Sequence, residues 1–258
     1  MREDSLRARV ALVTGAGRRR GIGTAICRAL AEKGADVFFT YWSAYEDEMS
    51  PDDRSKPEAL LQELRGAVVR AEAMEVDLSL PETPNRLLDT ATERLGPPSI
   101  LVNNAVYSIR DGFEELDAAT LDAHYAVNFR ATALLSVEFA RRFEGESGRI
   151  INLTSGQSLG PMPGELAYVA TKGAIEAFTR TLAVEVGHKG ITVNAVNPGP
   201  TDTGWMGEDL KRQLSSQFPA GRVGRPEDAA RLVVFLAGEQ AGWITGQVID
   251  SEGGFLRS

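Results

Sequence analysis

Short apolar runs alternate with helix-patterned segments along most of the chain, and few folds satisfy that alternation. "RVALVTG" is a β-rich run that ends on glycine, and "GTAICRALAEKG" follows with helical spacing and closes on Gly34, a C-cap signal. Further strands are predicted at "ADVFFTYW", "AEAMEVDLS", "SILVNNA", "GRIINLTS", "ITVNAVNPG" and "GQVIDSEGG". Between them, "NRLLDTATERLG", "AATLDAHYAVNFRATALLSVEFARRFEG", "ELAYVATKGAIEAFTRTLAVEVGHKG" and "PEDAARLVVFLAG" read as helices, the last opened by proline at its first turn. Strands in turn with helices require right-handed βαβ crossovers, so the predicted class is α/β, a doubly wound parallel sheet with helices on both faces. The 258 residues contain no repeat, low-complexity segment or separating linker, so 1–258 reads as one domain. Ser43 to Leu60, polar and acidic, reads as a solvated loop.

Composition narrows the function. At 43% apolar residues the chain can bury a substantial core, and a net charge of −8 gives no general attraction to nucleic acid or to an anionic membrane. Cys27 is the only cysteine, so no internal disulfide forms, and its apolar helical context predicts a packing role. The N-terminus lacks a signal-peptide apolar run and no segment is long enough to span a bilayer, so a soluble cytoplasmic protein is expected. His124 and His188 have no partners at metal-ligand spacing, and no metal site is expected.

In a sheet of this class ligands bind beyond the carboxyl ends of the strands, near the switch in strand order. "VTGAGRRRGIGTAI" lies at such an end. Gly15, Gly17, Gly21 and Gly23 depart from G-x-G-x-x-G by one extra residue between Gly17 and Gly21. The stretch is either a glycine-rich turn or a phosphate cradle at a helix N-terminus, where unpaired N–H groups and the helix dipole favour an anion. Its arginines, Arg18, Arg19 and Arg20, either face solvent or read a charge on the ligand. A second constellation is "AYVATKGA", which sets Tyr168 and Lys172 four apart on one helical face, with Ser155 ending the preceding strand. A phenol loses its proton near pH 10, and an ammonium one turn away favours phenolate. Tyr168 can then exchange a proton with a substrate oxygen that Ser155 holds by a hydrogen bond. Tyrosine and lysine at this spacing are also common on ordinary amphipathic helices.

The ordered series "TGAGRRRGIG", "LVNNA", "VNF", "INLTS", "YVATK", "NPGPTDTG" and "GRVGRPEDAA" resembles the short-chain dehydrogenase/reductases over essentially the whole length, with a likeness to the bacterial 3-oxoacyl-acyl-carrier-protein reductase-like branch. The resemblance implies a single-domain Rossmann-like sheet and hydride transfer between a nicotinamide and a carbonyl or alcohol carbon. It implies Tyr168 as general acid/base, Ser155 as the group orienting the carbonyl, and Lys172 as the residue that lowers the Tyr168 pKa and binds the nicotinamide ribose. Asn128 would hold a water linking Lys172 to solvent; its other reading is a cap or bend of its helix. Gly15, Arg20, Gly21, Ile22 and Gly23 would line the dinucleotide, with Tyr41 at the end of the second strand. Asp77 would meet the adenine amino group with Leu78 beside it, unless it only caps the next turn. Asn104 and Ala105 would border the ribose, and Pro198, Gly199, Thr201 and Thr203 would close over the nicotinamide amide. Departures are the lengthened glycine loop, Val106 in place of the usual glycine after "NNA", and Glu252 in place of an aspartate before the late glycine pair.

NADP(H) is the expected cofactor, with NAD(H) possible. NAD-selective sites place an acid at the end of the second strand, whereas here Thr40, Tyr41, Trp42 and Ser43 are neutral and leave room for a 2′-phosphate that Arg20 would reach. Thr203 to Arg222, rich in glycine and carrying Trp205, Met206 and Phe218, is expected to be a lid. Trp205 either lines the substrate pocket or packs that lid. The expected partners are a small carbonyl, alcohol or acyl-thioester substrate and further copies of the chain, as dimer or tetramer. A sugar, steroid or xenobiotic carbonyl is the alternative substrate, and a dinucleotide-sensing protein without turnover the alternative function.

Overall fold

The computed structural model describes residues 5–44, 57–67 and 69–255. Seven parallel strands form one sheet in the order β3-β2-β1-β4-β5-β6-β7. They are β1 Val10–Val13, β2 Asp36–Tyr41, β3 Ala71–Glu75, β4 Ile100–Asn103, β5 Gly148–Leu153, β6 Ile191–Asn197 and β7 Val248–Asp250. The helices are α1 Ile22–Glu32, α2 Pro57–Arg65, α3 Thr83–Leu95, α4 Ala118–His124, α5 Thr132–Arg142, α6 Leu166–Val186, α7 Glu208–Ser215 and α8 Pro226–Ala237. The expected doubly wound class is the observed one, and its order reverses between β1 and β4, where such sheets open a crevice.

The strands are apolar on both faces because helices cover both. Ala11, Val13, Val37, Phe39, Ile100 and Val102 face α1, α2 and α8, where Ile26, Leu30, Leu64 and Val233 close the core. Leu12, Phe38, Leu101 and Ile150 face the opposite way, onto Leu87, Leu135, Phe139 and Leu182. This period-two division is what a strand buried on both sides must show. Cys27 is fully buried in the first cluster, and burial raises its thiol far above the usual range, in keeping with packing. Helix α1 stops where expected: Gly34, at φ +91°, donates to Ala31 O at 2.8 Å while Ala35 N–H reaches Leu30 O at 3.1 Å, a Schellman closure.

The structure refines three sequence expectations. The single helix expected after β4 runs on from α4 to α5, but through a wider, π-helical segment, Tyr125–Ala131. The stretch expected as a solvated loop runs past residues 45–56, which lie outside the described residues, and its last part, Pro57–Leu60, opens α2 and buries Leu60. The expected loop from Thr203 to Arg222 contains α7, with Met206 and Phe218 buried beside it. Among the described residues no helix is long and apolar enough to cross a membrane.

Candidate active site

Strand β5 and helix α6 bring the expected chemical groups together. Ser155 follows β5 by two residues and Tyr168 stands in the first turn of α6, both half-buried, with Lys172 one turn further and 3% exposed. Lys172 Nζ donates to Leu153 O, the last carbonyl of β5, at 2.8 Å and lies 5.6 Å from the Tyr168 ring centroid. Thr154 Oγ1 lies 3.2 Å from Lys172 O, which ties the strand end to the same turn. Burial pushes the Lys172 ammonium down to about 8. Among the described residues the Ser155 hydroxyl has one hydrogen-bond partner, a thioether, Met162 Sδ, at 3.8 Å. A sulfur is a weak acceptor, so a carbonyl oxygen can replace it with a gain in hydrogen bonding.

Helix α6 is oriented from outside itself. Its N-cap residue, Glu165, makes no side-chain cap; instead Asp111, 6% exposed and on the loop after β4, accepts from Leu166 N at 2.5 Å and Ala167 N at 2.9 Å. A carboxylate at that end also meets the helix dipole favourably. Burial raises the neighbouring Glu165 carboxyl, against the charge of Arg110. The π segment explains the placement of Asn128: one wider turn aims it at the loop after β4. Its Nδ2 donates to Tyr107 O at 2.9 Å and Thr171 Oγ1 at 3.2 Å, and its Oδ1 accepts from Tyr107 N at 2.7 Å. Neither Asp111 nor the π segment announced itself in the sequence.

Across the crevice, the β1–α1 loop leaves α1 open. Gly21 supplies no side-chain cap and the first turn has no acid, so the leading N–H groups remain suited to an anion. The glycines are also needed for the loop itself. Gly15 holds φ +72°, and a Cβ there would stand 2.6 Å from Ala105 Cα; one on Gly23 would stand 2.4 Å from Gly15 O. Asn104 clamps the turn, its Nδ2 donating to Thr14 O at 2.9 Å and Gly15 O at 2.8 Å, while Thr14 Oγ1 accepts from the N–H groups of Asn104 and Ala105.

The chain as a whole resembles known proteins. The family model described as Enoyl-(Acyl carrier protein) reductase matches residues 15–256. The Uncharacterized oxidoreductase YjdA of Bacillus subtilis (strain 168) is 54% identical over 252 residues, which cover 96% of this chain and 97% of that protein. The short-chain dehydrogenase/reductase from Serratia marcescens BCRC 10948 superposes with a TM-score of 0.87 at 36% identity, over 98% of this chain and 99% of its own. The chain belongs to the short-chain dehydrogenase/reductase family. A blue fluorescent protein from a metagenomic library, solved in complex with NADPH, is similarly alike, with a TM-score of 0.87 and 35% identity over 98% and 100% of the two chains.

Within this short-chain dehydrogenase/reductase the remaining expected positions fall into two groups. Along the crevice, Ile22 begins α1, Tyr41 ends β2 with its ring 6.5 Å from Phe39, and Thr203 begins the segment carrying α7. The others have internal duties. Asp77 Oδ1 caps its own turn by accepting from Ser79 N at 2.7 Å. Leu78 is 8% exposed, so its side chain belongs to the core. Gly199 packs on Glu252, whose Oε2 accepts from Asn197 Nδ2 at 3.2 Å; the substitution of glutamate for aspartate is thereby accommodated. Thr201 Oγ1 bonds back to the carbonyls of Pro198 and Gly199.

Arg20 departs from its expected direction. Its Nη2 pairs with Asp202 Oδ2 at 3.1 Å, across the crevice from the end of β2. Asp202 also meets Lys211 Nζ of α7 at 2.9 Å. Burial opposes ionisation of Asp202, but the Lys211 hydrogen bond, the Gly204 N–H and the Arg20 charge hold its carboxyl below the usual range. The β2 end is not neutral as its own residues led one to expect: Glu75, in register with Tyr41, accepts from Ser43 N at 3.1 Å, and its charge opposes a 2′-phosphate there. Trp205 remains 56% exposed, with Nε1 donating to Thr201 O at 3.0 Å, and so ties the start of the α7 segment to the loop after β6. The two histidines serve no metal cluster among the described residues; His124 is buried, with Nδ1 donating to Thr120 O and its ring edge-on to Tyr107.

Proposed function

We propose that residues 1–258 form one domain that uses NADP(H) to reduce a small-molecule carbonyl, or to oxidise the matching alcohol, through Ser155, Tyr168 and Lys172. The observation that carries this reading is the Lys172 ammonium, buried on the Tyr168 face of α6 with Leu153 O as its hydrogen-bond acceptor. A bound nicotinamide supplies the hydride donor or acceptor. The uncapped start of α1 suits its pyrophosphate, and the loop at 198–203 the nicotinamide amide. Tyr168 Oη passes a proton to the carbonyl oxygen, or takes one from the alcohol. Ser155 Oγ donates to the same oxygen, and Lys172 stabilises the phenolate left behind. Three hydrogen bonds engage the Asn128 side chain, so a water relayed toward Lys172 would use its main-chain carbonyl or the second lone pair of Oδ1. Met162 beside Ser155 favours an apolar flank on the substrate, as in an acyl thioester or aryl ketone, over a sugar. The exposed apolar residues Leu121, Tyr125 and Leu134 on 118–142, and Val184, Phe235 and Trp243 elsewhere, support a homo-oligomer.

Tyr168→Phe tests the chemistry, since it removes only the proton that moves. The rate of NADPH oxidation with a ketone panel should fall about a hundredfold or more, while NADPH still binds; a rate near wild type would reject Tyr168 as the acid. Arg20 tests the cofactor preference. A charge-assisted contact is worth about 1.5–3 kcal/mol, so Arg20→Ala should weaken NADPH by roughly ten- to a hundredfold and leave NADH nearly unchanged. Equal losses for both would mean that Arg20 supports the loop and does not read the phosphate.

A further inference from the structure

Glu176 lies one turn beyond Lys172 on α6 and is 5% exposed, yet the proton-transfer scheme above does not use it. Its Oε1 stands within hydrogen-bond distance of Gln157 Nε2 at 2.5 Å, Ser158 Oγ at 3.2 Å and Thr154 Oγ1 at 3.3 Å. Its Oε2 faces Arg180 at 4.0 Å. Thr154, Gln157 and Ser158 bracket Ser155. A buried carboxylate is tolerated only where donors converge on it, and here Gln157 Nε2 and Ser158 Oγ donate from the loop that carries the serine, while Thr154 Oγ1 has a single proton to divide between Glu176 Oε1 and Lys172 O. Gln157 is held by its Nε2 end, because its Oε1 is buried without a hydrogen-bond partner among the described residues. The side chain therefore accepts an unmet acceptor in order to reach Glu176.

We propose that Glu176 is a positioning residue for Ser155. Its carboxylate pins loop 154–158 to the helix that also carries Tyr168 and Lys172, and thereby sets where the serine hydroxyl stands relative to the phenol. The proposal rests on the reading of Ser155 as the group that orients the carbonyl. A misplacement of about 1 Å in such a group can lower the rate about a hundredfold.

A double-mutant cycle with S155A and E176Q tests it, reading kcat for ketone reduction at saturating NADPH, the NADPH Kd by fluorescence, and amide hydrogen exchange over 154–158 in the cofactor-free protein. E176Q should lower kcat by roughly ten- to a hundredfold, leave the NADPH Kd within about twofold, and speed exchange in the loop about tenfold or more. In the S155A background E176Q should lower kcat no further, because a positioned hydroxyl is no longer there to misplace. Equal losses in both backgrounds, or full kcat in E176Q, would overturn the proposal while leaving Ser155 its role. Full kcat in S155A would overturn the reading of Ser155 itself, and the proposal with it. Should E176Q fail to fold, Gln157→Met takes its place in the cycle, with non-additivity again expected and additivity again fatal.

Discussion

Arg149 and Lys172 are equally hidden, each 3% exposed, and both touch strand β5, one at its start and one at its end. Their bonding is opposite. Arg149 donates to Gly148 O at 2.9 Å and twice to Gly238 O at 3.3 Å, and Gly238 caps the carboxyl end of α8, where a cation meets the helix dipole favourably. Arg9 beside it serves Ser99, Ser147 and Ala237 with four hydrogen bonds; burial, then the Arg149 charge, pushes its guanidinium down to about 10. Lys172 has three N–H bonds and, among the described residues, one acceptor. A cation whose three nitrogens all find acceptors is a strut. A cation left short of acceptors at the open edge of the sheet holds capacity for a ligand.

Removing the charge should separate the two. Lys172→Met should cost about a hundredfold or more in kcat, by the loss of phenolate stabilisation, while stability at pH 7 should be no lower, because burying an under-bonded ammonium is unfavourable. The pH dependence sharpens this. Folded Lys172 gives up its proton near 8 and the unfolded residue near 10.5, so between those values the unfolded chain binds more protons and stability rises with pH. The rise should amount to roughly 3 kcal/mol, be absent in Lys172→Met, and coincide with falling ketone-reduction rates as the ammonium is lost. Denaturant melts and rates at pH 7.5, 9 and 10 are the check; a stability that is flat in both proteins would make Lys172 another strut.

Much of this architecture is legible in the sequence, because alternation of short apolar runs and helical repeats is a local signal. Tyr168, Lys172 and Ser155 are legible for the same reason: strand end and helical spacing place them without knowledge of the rest. What escapes is what depends on distant chain. The wider turn at Tyr125–Ala131 carries no Pro or Gly, and the helix runs on through it into α5, so nothing in the sequence marks it. Asp111 caps a helix that begins 55 residues later. Leu78 lies in the motif region yet points to the core, and Glu75 reaches the β2 end only through strand register. Helix α7 hides among charged residues because its own buried neighbours, Met206 and Phe218, lie outside it.

The strut should fail in the other direction. Arg149→Met leaves the Gly238 carbonyl without its donors and takes one of the donors from Gly148 O, which keeps its β6 partner, at about 1–3 kcal/mol for the acceptor left unmet, partly offset by relief of repulsion with Arg9. A net loss of about 2 kcal/mol would lower Tm by roughly 4–8 °C in a chain of this size. The kcat at 25 °C should stay within about twofold of wild type, since the change sits at the closed edge of the sheet and ordering at the open edge is untouched. A fall in kcat comparable to that of Lys172→Met would erase the distinction between the two edges.

Arg20 extends the comparison to a cation that is neither buried nor fully committed. Its side chain is 60% exposed and pairs with Asp202, which keeps Lys211 as a second partner. An exposed pair of this kind is worth about 0–1 kcal/mol, less than the roughly 1.5–3 kcal/mol of a charge-assisted contact to phosphate, so on the proposed reading exchange of Asp202 for a 2′-phosphate would be favourable overall. On that reading the pair would still oppose NADPH by its own small energy, because Arg20 would have to leave Asp202 first. Asp202→Asn keeps the shape of the side chain and removes its charge. NADPH should then bind up to about fivefold more tightly, the equivalent of about 1 kcal/mol, with NADH unchanged. Titration of each cofactor against the variant measures this directly. If both cofactors weaken together instead, the Arg20–Asp202 pair acts as a strap over the crevice and holds either dinucleotide in place, and the 2′-phosphate must be read by other groups.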